Sequence, residues 1–259
     1  MRAVCVLRLS ALGDVCHAVP LVRAIQDQRP EVTITWIIGR PEARLAKLID
    51  GVEFVEYDKR SGIRGLLALR RQLAGRRFDA LLATQRSVRA NLISRLVPAE
   101  LRVGYDRART KELHGLVINR SIAPAAHDQH VMDCLLSFLE PIGLQIPERA
   151  RWDFAISAED EAFAAAHIAD DQPTMIISAA SSHTVRNWSA AGYAALADHA
   201  ANRHGLRILL CGGPSDIERT LAAEIAQHMR TPAENLVGRD TLAGFLALAR
   251  RARVVLTPD

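Results

Sequence analysis

Residues 3–14, AVCVLRLSALGD, pass from an apolar strand pattern through a turn of small residues into a helix that opens on Asp14. A continuous apolar strand followed at once by a helix is the start of a βαβ unit, which commits the chain to a largely parallel sheet. In open sheets of that kind ligands bind beyond the carboxyl ends of the strands, where helix N-termini also present unpaired N–H groups. Asp14 therefore stands where chemistry is done. From position alone, an Asp at a helix start reads first as a cap on its own backbone, and Ser10 could cap the same loop.

The alternation continues along the chain. Strands are expected at 3–9, 33–38, 53–57 and 79–83, separated by helices at 15–27, 42–49, 63–74 and 88–96. Each crossover is long enough to join parallel neighbours. A helix at 129–142 ends at Gly143, and the polar segment LQIPERARWD after it reads as a linker. The pattern then restarts with helix 159–167, strand 174–178, helix 190–203, strand 207–211, helices 215–229 and 242–251, and strand 254–256. Two successive α/β domains follow, 1–150 and 151–259. A two-domain transferase, a dehydrogenase and a two-lobed binding protein all share this plan.

A hydrophobic content of 49% with 24% charged residues suits a globular chain, and no run of 18 apolar residues offers a membrane span. Arg8 and Asp14 interrupt the first apolar stretch, which a secretory leader would not tolerate, so a cytoplasmic location is expected. Cys5, Cys16, Cys134 and Cys211 form no CxxC pair; Cys5 and Cys211 fall in strands and read as small core residues. Residues 1–150 hold 23 Lys and Arg against 16 Asp and Glu, a net of +7, whereas 151–259 hold 10 against 13, a net of −3. A basic half suits a phosphorylated glycolipid, a membrane surface or nucleic acid, though an Arg-rich composition alone would also give it. Its basic stretches lack the interleaved aromatics of a nucleic-acid binder. The single glycine of SALGD argues against a dinucleotide-binding oxidoreductase, which wants Gly-x-Gly-x-x-Gly there. His127 and His130 form an HxxH pair with no third convergent ligand, so no metal site is expected.

Several stretches taken together resemble glycosyltransferase family 9, the bacterial ADP-heptose:lipopolysaccharide heptosyltransferases, most closely the heptosyltransferase I type. RLSALGDVCHAVPLVRAI resembles the family's opening, and TQRSVRANLISRL its Gln-x-x-x-(Lys/Arg) element, with Arg86 where the family often has Gly. VGYDRARTKELHGLVINRSI resembles its Gly-(Phe/Tyr)-Asp run into a basic loop carrying Arg107, Arg109, Lys111 and Glu112. Such a cationic loop is costly to order unless an anion neutralises it. IISAASSHTVRNWSAAGYAAL and LLCGGPSDIERTLAAEI resemble the opening of the family's second domain. Read from the residues alone, Trp188 and Ser189 are a packed aromatic and a helix cap.

The resemblance implies a glycosyltransferase-B arrangement of two Rossmann-like parallel-sheet domains, the second incomplete. It implies Asp14 as catalytic base, with Ser10, Gly13, Arg60, Gln85, Arg89, Arg120 and His130 on the acceptor side; Cys134 stands where the family often adds an Arg. On the donor side it implies Ser181, Ser182, Thr184 and Arg186 at the pyrophosphate, Glu218 at the ribose and Asp259 at the donor phosphates. The reaction implied is an inverting, metal-independent transfer of heptose from ADP-L-glycero-D-manno-heptose to the Kdo residue of Kdo-lipid A, with no cofactor, no nucleic acid and peripheral contact with the inner membrane. Asp259 falls where the family begins an Asp-(Ser/Thr)-Gly-x-x-His motif, so the chain is expected to be a fragment or a truncated form. A catalytically inactive nucleotide- or sugar-binding remnant is the alternative.

Overall fold

In a computed structural model, which describes residues 1–110, 113–125, 129–181 and 184–258, strand β1 (Ala3–Leu7) is the centre of a six-stranded sheet. Its partners are β2 (Thr33–Gly39), β3 (Val52–Tyr57), β4 (Phe78–Ala83), β5 (Ala99–Gly104) and β6 (Arg120–Ser121). All pairs are parallel, in the order β3-β2-β1-β4-β5-β6. Val4 and Val6 face a core built with α1 (Leu12–Gln28), α2 (Ala43–Ala46) and α5 (Val131–Leu136). Cys5 and Leu7 face the other core, covered by Leu69 and Leu73 from α3 (Gly62–Gln72) and its end and by Ala90 and Ile93 of α4 (Val88–Leu96). Full burial of each such Val or Leu stabilises by roughly 1.5–3 kcal/mol, so β1 is fastened from both sides. Burial also raises the thiol pKa of Cys5 strongly.

Strand order reverses between β1 and β4, whose register runs from Val4 opposite Ala80 to Leu7 opposite Ala83. Loops leaving the two strands diverge there and open a crevice at their carboxyl ends. The second unit repeats the arrangement on a smaller scale. Strands β7 (Thr174–Ile177), β8 (Arg207–Leu210), β9 (Ala233–Asn235) and β10 (Val254–Leu256) form a parallel sheet in the order β10-β7-β8-β9. The helices are α6 (Ala158–His167), α7 (Ala190–His204), α8 (Asp216–His228) and α9 (Leu242–Arg251). Here the reversal falls between β7 and β10. The chain divides by internal contacts into Met1–Ala155 and Ile156–Asp259.

Several elements differ from their sequence expectation. The expected helix 129–142 is broken into α5 and a 3-10 turn, Glu140–Ile142. His130 is extended and caps α5, accepting from Met132 N–H at 3.2 Å, and Pro141 lacks the N–H that a continuing helix would need. The helix expected at 42–49 is one turn long, because Leu48 and Ile49 tighten onto Leu45 and Ala46 three residues back. Segment 144–153 is strapped down: Arg151 pairs with Asp27, Trp152 Nε1 donates to the Cys16 carbonyl at 2.8 Å, and buried Arg23 donates to the Asp153 carbonyl. No helix among the described residues is long and apolar enough to cross a membrane.

Candidate active site

β1 and β4 deliver the first group of polar residues to the reversal point. Past β1 the chain runs through Arg8, Leu9 and Ser10 to Ala11, the N-cap of α1, and the Ser10–Ala11 peptide is cis. The cap has no side-chain acceptor. Asp14, at the third helical position, reaches back so that Oδ2 accepts from Ala11 N–H at 3.2 Å. It is therefore half of a capping box rather than the N-cap itself. Oδ2 also takes the guanidinium of Arg8, a side chain only 10% exposed, whose other nitrogen donates to the Thr84 carbonyl. Oδ1 has no hydrogen-bond partner among the described residues, and the Asp14 side chain is 36% exposed.

From β4, Gln85 crosses to the β1 loop. Its Oε1 accepts from Leu9 N–H at 2.7 Å, and its Nε2 lies 3.5 Å from Ser10 Oγ and 3.4 Å from Ser87 Oγ. Gln85, Ser10 and Asp14 are thus assembled by the register of two adjacent strands. Gly13 lies inside the first turn of α1 rather than in the preceding loop, and a Cβ built on it would meet nothing within 4 Å. His17, one turn beyond Asp14, meets His130 edge-on with ring centroids 5.4 Å apart. Since His130 Nδ1 accepts from Met132 N–H, a neutral ring carries its proton on Nε2.

The basic residues divide into two groups. Arg109 is consumed internally: it bonds both oxygens of Asp106, Gln129 Oε1 at 2.6 Å, the Ala123 carbonyl at 2.6 Å and Cys134 Sγ at 3.2 Å. The anion that meets Arg109 is the chain's own Asp106. Arg86 stacks over Tyr105, with its guanidinium carbon 4.7 Å from the ring centroid, and donates to the Arg109 carbonyl. Arg60, in the turn after β3, Arg89, in the first turn of α4, and Arg120, in edge strand β6, are exposed. Arg60 and Arg89 lie at the carboxyl edge of the sheet with Asp14, whereas Arg120 sits within a strand.

In the second unit, the residues expected on the donor side follow the carboxyl ends of β7 and β8. Ser181 N–H donates to Asn187 Oδ1 at 2.7 Å, and Thr184 and exposed Arg186 form a 3-10 turn before α7. An open groove of about 500 Å³ beside this turn is lined by Thr184, Trp188, Ser189, Asp216, Ile217 and Glu224, among others. Ser189 caps α7, and Trp188 packs on Tyr193 while staying half exposed. Glu218 closes the Gly212–Gly213 turn: Oε1 accepts from Gly213 N–H at 2.7 Å and Oε2 accepts from Ser215 Oγ at 2.5 Å. A Cβ on Gly213 would lie 2.9 Å from Oε2, so glycine is what allows the contact. Asp240 approaches the same turn with Oδ1 buried and unpartnered, and burial pushes its carboxyl up to about 6. Asp259, Ser182, Lys111, Glu112 and His127 lie outside the described residues. Among those described, no three His, Cys, Asp or Glu side chains group as a metal site.

Sequence reasoning missed Arg8, whose pairing depends on the long-range β1–β4 register and has no local signal. It also missed His17, which three-residue spacing from Asp14 on one helix could have flagged.

Two parallel-sheet α/β units, with polar residues at the strand-order reversal of the first and beyond β7 and β8 in the second, make up the B-type glycosyltransferase fold. Solved structures share it: the glycosyl transferase family 9 protein of Veillonella parvula superposes with a TM-score of 0.86 at 19% identity, over 99% of this chain and 75% of that one. Escherichia coli heptosyltransferase WaaC with ADP gives 0.78 at 23% identity, over 99% and 81%. WaaC with ADP-2-deoxy-2-fluoro heptose gives 0.78 at 20%, over 99% and 82%. Residues 66–259 match the profile of glycosyltransferase family 9 (heptosyltransferase), and the chain belongs to that family. It is 34% identical over 258 residues to the lipopolysaccharide core heptosyltransferase OpsX of Haemophilus influenzae, covering 100% of this chain and 74% of OpsX.

Proposed function

We infer that the protein transfers heptose from ADP-L-glycero-D-manno-heptose to the Kdo residue of Kdo-lipid A with inversion, working on the cytoplasmic side of the inner membrane. The observation that carries this reading is Asp14, held at the reversal of the first sheet by Arg8 and Ala11 N–H, with Oδ1 unbonded among the described residues. In the proposed step, Asp14 takes the proton from an acceptor hydroxyl as that oxygen bonds to the anomeric carbon. The bond from that carbon to the β-phosphate oxygen breaks, and its electron pair departs with ADP on the opposite face. Ser10, Gly13, Arg60, Gln85, Arg89, Arg120 and His130 hold the anionic acceptor. Arginines suit its carboxylate and phosphates because a guanidinium meets either with two bonds.

Ser181, Thr184 and Arg186 take the donor pyrophosphate, with Asp259 completing the phosphate side. Glu218 takes the ribose, each of its oxygens keeping a lone pair beyond the bond it makes in the turn. Arg186 offsets the charge gathering on departing ADP, and no metal or cofactor is needed. ADP and ADP-sugar bound to WaaC, whose fold this chain shares, support the donor class.

Asp14→Asn should abolish transfer while sparing ADP binding measured by calorimetry, and chelation with EDTA should leave the parent's turnover unchanged. Near-normal turnover by the Asn variant would reduce Asp14 to a helix-capping residue. ADP binding without turnover by the parent would favour a binding remnant.

A further inference from the structure

Apart from Arg89, one surface of the first unit lies outside the candidate site. α3 and α4 lie side by side over one face of the sheet, yet their outer surfaces are not uniformly polar. Ile63 and Leu67, one turn apart on α3, are 76% and 51% exposed, and Val88 and Leu92, one turn apart on α4, are 55% and 54% exposed. The 3-10 turn His114–Leu116 is tied to α4 by the bond between His114 and Asn91, and it brings Leu113 and Leu116, 74% and 72% exposed. Singly exposed apolar residues are ordinary, but six on adjoining elements mark an interaction surface.

The charges on this face choose among partners. α3 and α4 carry Arg64, Arg70, Arg71, Arg89 and Arg95 and contain no Asp or Glu. All five arginines are exposed. A second copy would set these cations against their own kind across a two-fold axis. Nucleic acid would want aromatic stacking platforms, and the exposed apolar side chains here are aliphatic. Aliphatic side chains alongside cations, with no acid on either helix, match the surface of an anionic bilayer, where basic residues meet lipid phosphates and apolar ones enter the headgroup boundary.

We propose that α3, α4 and the turn at 113–116 form a face on which the protein lies on an anionic lipid bilayer. Ile63 and Val88 occupy the first turns of their helices, at the same carboxyl edge of the sheet as Asp14 and Gln85. A protein resting there presents its crevice to the lipid boundary. The inference deepens the proposed function, whose acceptor is lipid-anchored, but testing it needs neither donor nor acceptor.

The full chain is sedimented with vesicles of phosphatidylcholine alone and of phosphatidylcholine mixed with phosphatidylglycerol, at low and high salt. Binding to the mixed vesicles is expected to exceed binding to neutral ones by about tenfold or more and to weaken with salt. The triple variant Ile63→Gln, Leu67→Gln, Leu92→Gln and the double variant Arg70→Gln, Arg71→Gln should each weaken it by about tenfold, with unchanged circular dichroism melting. Undiminished binding by both folded variants overturns the proposal, as does equal binding to neutral vesicles. Concentration-dependent dimerisation lost in the triple variant assigns the face to self-association instead. ADP calorimetry on the same samples separates the two readings: lost vesicle binding with intact ADP binding removes the face and keeps the transferase, and the converse removes the transferase and keeps the face.

Discussion

Arg8 is the residue that anchors the proposed base. It is 8% exposed and leaves Nε buried without a partner, a cost of about 1–3 kcal/mol for a polar group. Its two other nitrogens hold Asp14 and the Thr84 carbonyl, so it fixes the carboxylate relative to β4. Arg8 is a positioning residue: Arg8→Met should lower kcat roughly a hundredfold, in the range a positioned base supplies, with ADP affinity unchanged. Arg8→Lys should recover part of that loss, since it keeps the charge but not the two-pronged reach. A lowered melting temperature with unaltered kcat in Arg8→Met would make the pair purely structural. In the sequence Arg8 is legible only as a charge interrupting an apolar run. Asp14, by contrast, announces itself through the strand, turn and helix around it.

At the scale of elements, α1, like α2 and α3, differs from α4 and from the helices of the second unit. Ser87, Ser157, Ser189, Ser215 and Thr241 each cap a helix through a side-chain oxygen, whereas α1 begins at Ala11 with no side-chain cap. Its first turn thereby keeps backbone N–H groups that an acceptor oxygen can meet beside the Asp14 carboxylate. Gly13→Ala tests this, because the added methyl meets nothing in the protein and should stabilise the helix by about 0.5 kcal/mol. An acceptor seated at that turn would meet the methyl, so its KM should rise severalfold while melting is unchanged or higher. An unaltered KM would put the acceptor elsewhere. Elements with a strong apolar period were legible: β1, β2, β4, β7 and β8 lie where the pattern predicts. β5, β6 and β9 were not, since AELRVG, RS and AEN are short and partly polar and take strand form only from their neighbours. The break in the helix expected at 129–142 depends on His130 turning its ring to its own backbone, which periodicity does not encode.

At the scale of the whole molecule, one buried group in each unit responds to acid in the opposite sense to the other. In the first, buried His114 accepts from Tyr105 N–H on Nε2 and donates from Nδ1 to Asn91; burial, helped by Arg86, lowers its pKa from 6.5 to about 4. Between those values the unfolded chain binds a proton that the folded one refuses, so stability is lost as pH falls through that window. In the second, burial raises Asp240 from 3.8 to about 6, with Glu218 adding to the effect. There the folded form holds the extra proton, and stability is lost as pH rises from about 4 to 6. Asp240→Asn should therefore raise the melting temperature at neutral pH, with the gain fading toward pH 4, and His114→Gln should flatten the acid side while lowering stability at neutrality. Melting curves across this range in which both variants keep the parent's slopes would refute the assignment. β1 carries a last consequence. Because both of its faces are packed, the strand that delivers Asp14 has little freedom to yield, and the carboxylate proposed as the base behaves as a fixed point. Accommodation of acceptors of different size then falls to the rim, the turns after β3 and β5, and differences in acceptor preference between relatives should map there while the centre stays unchanged.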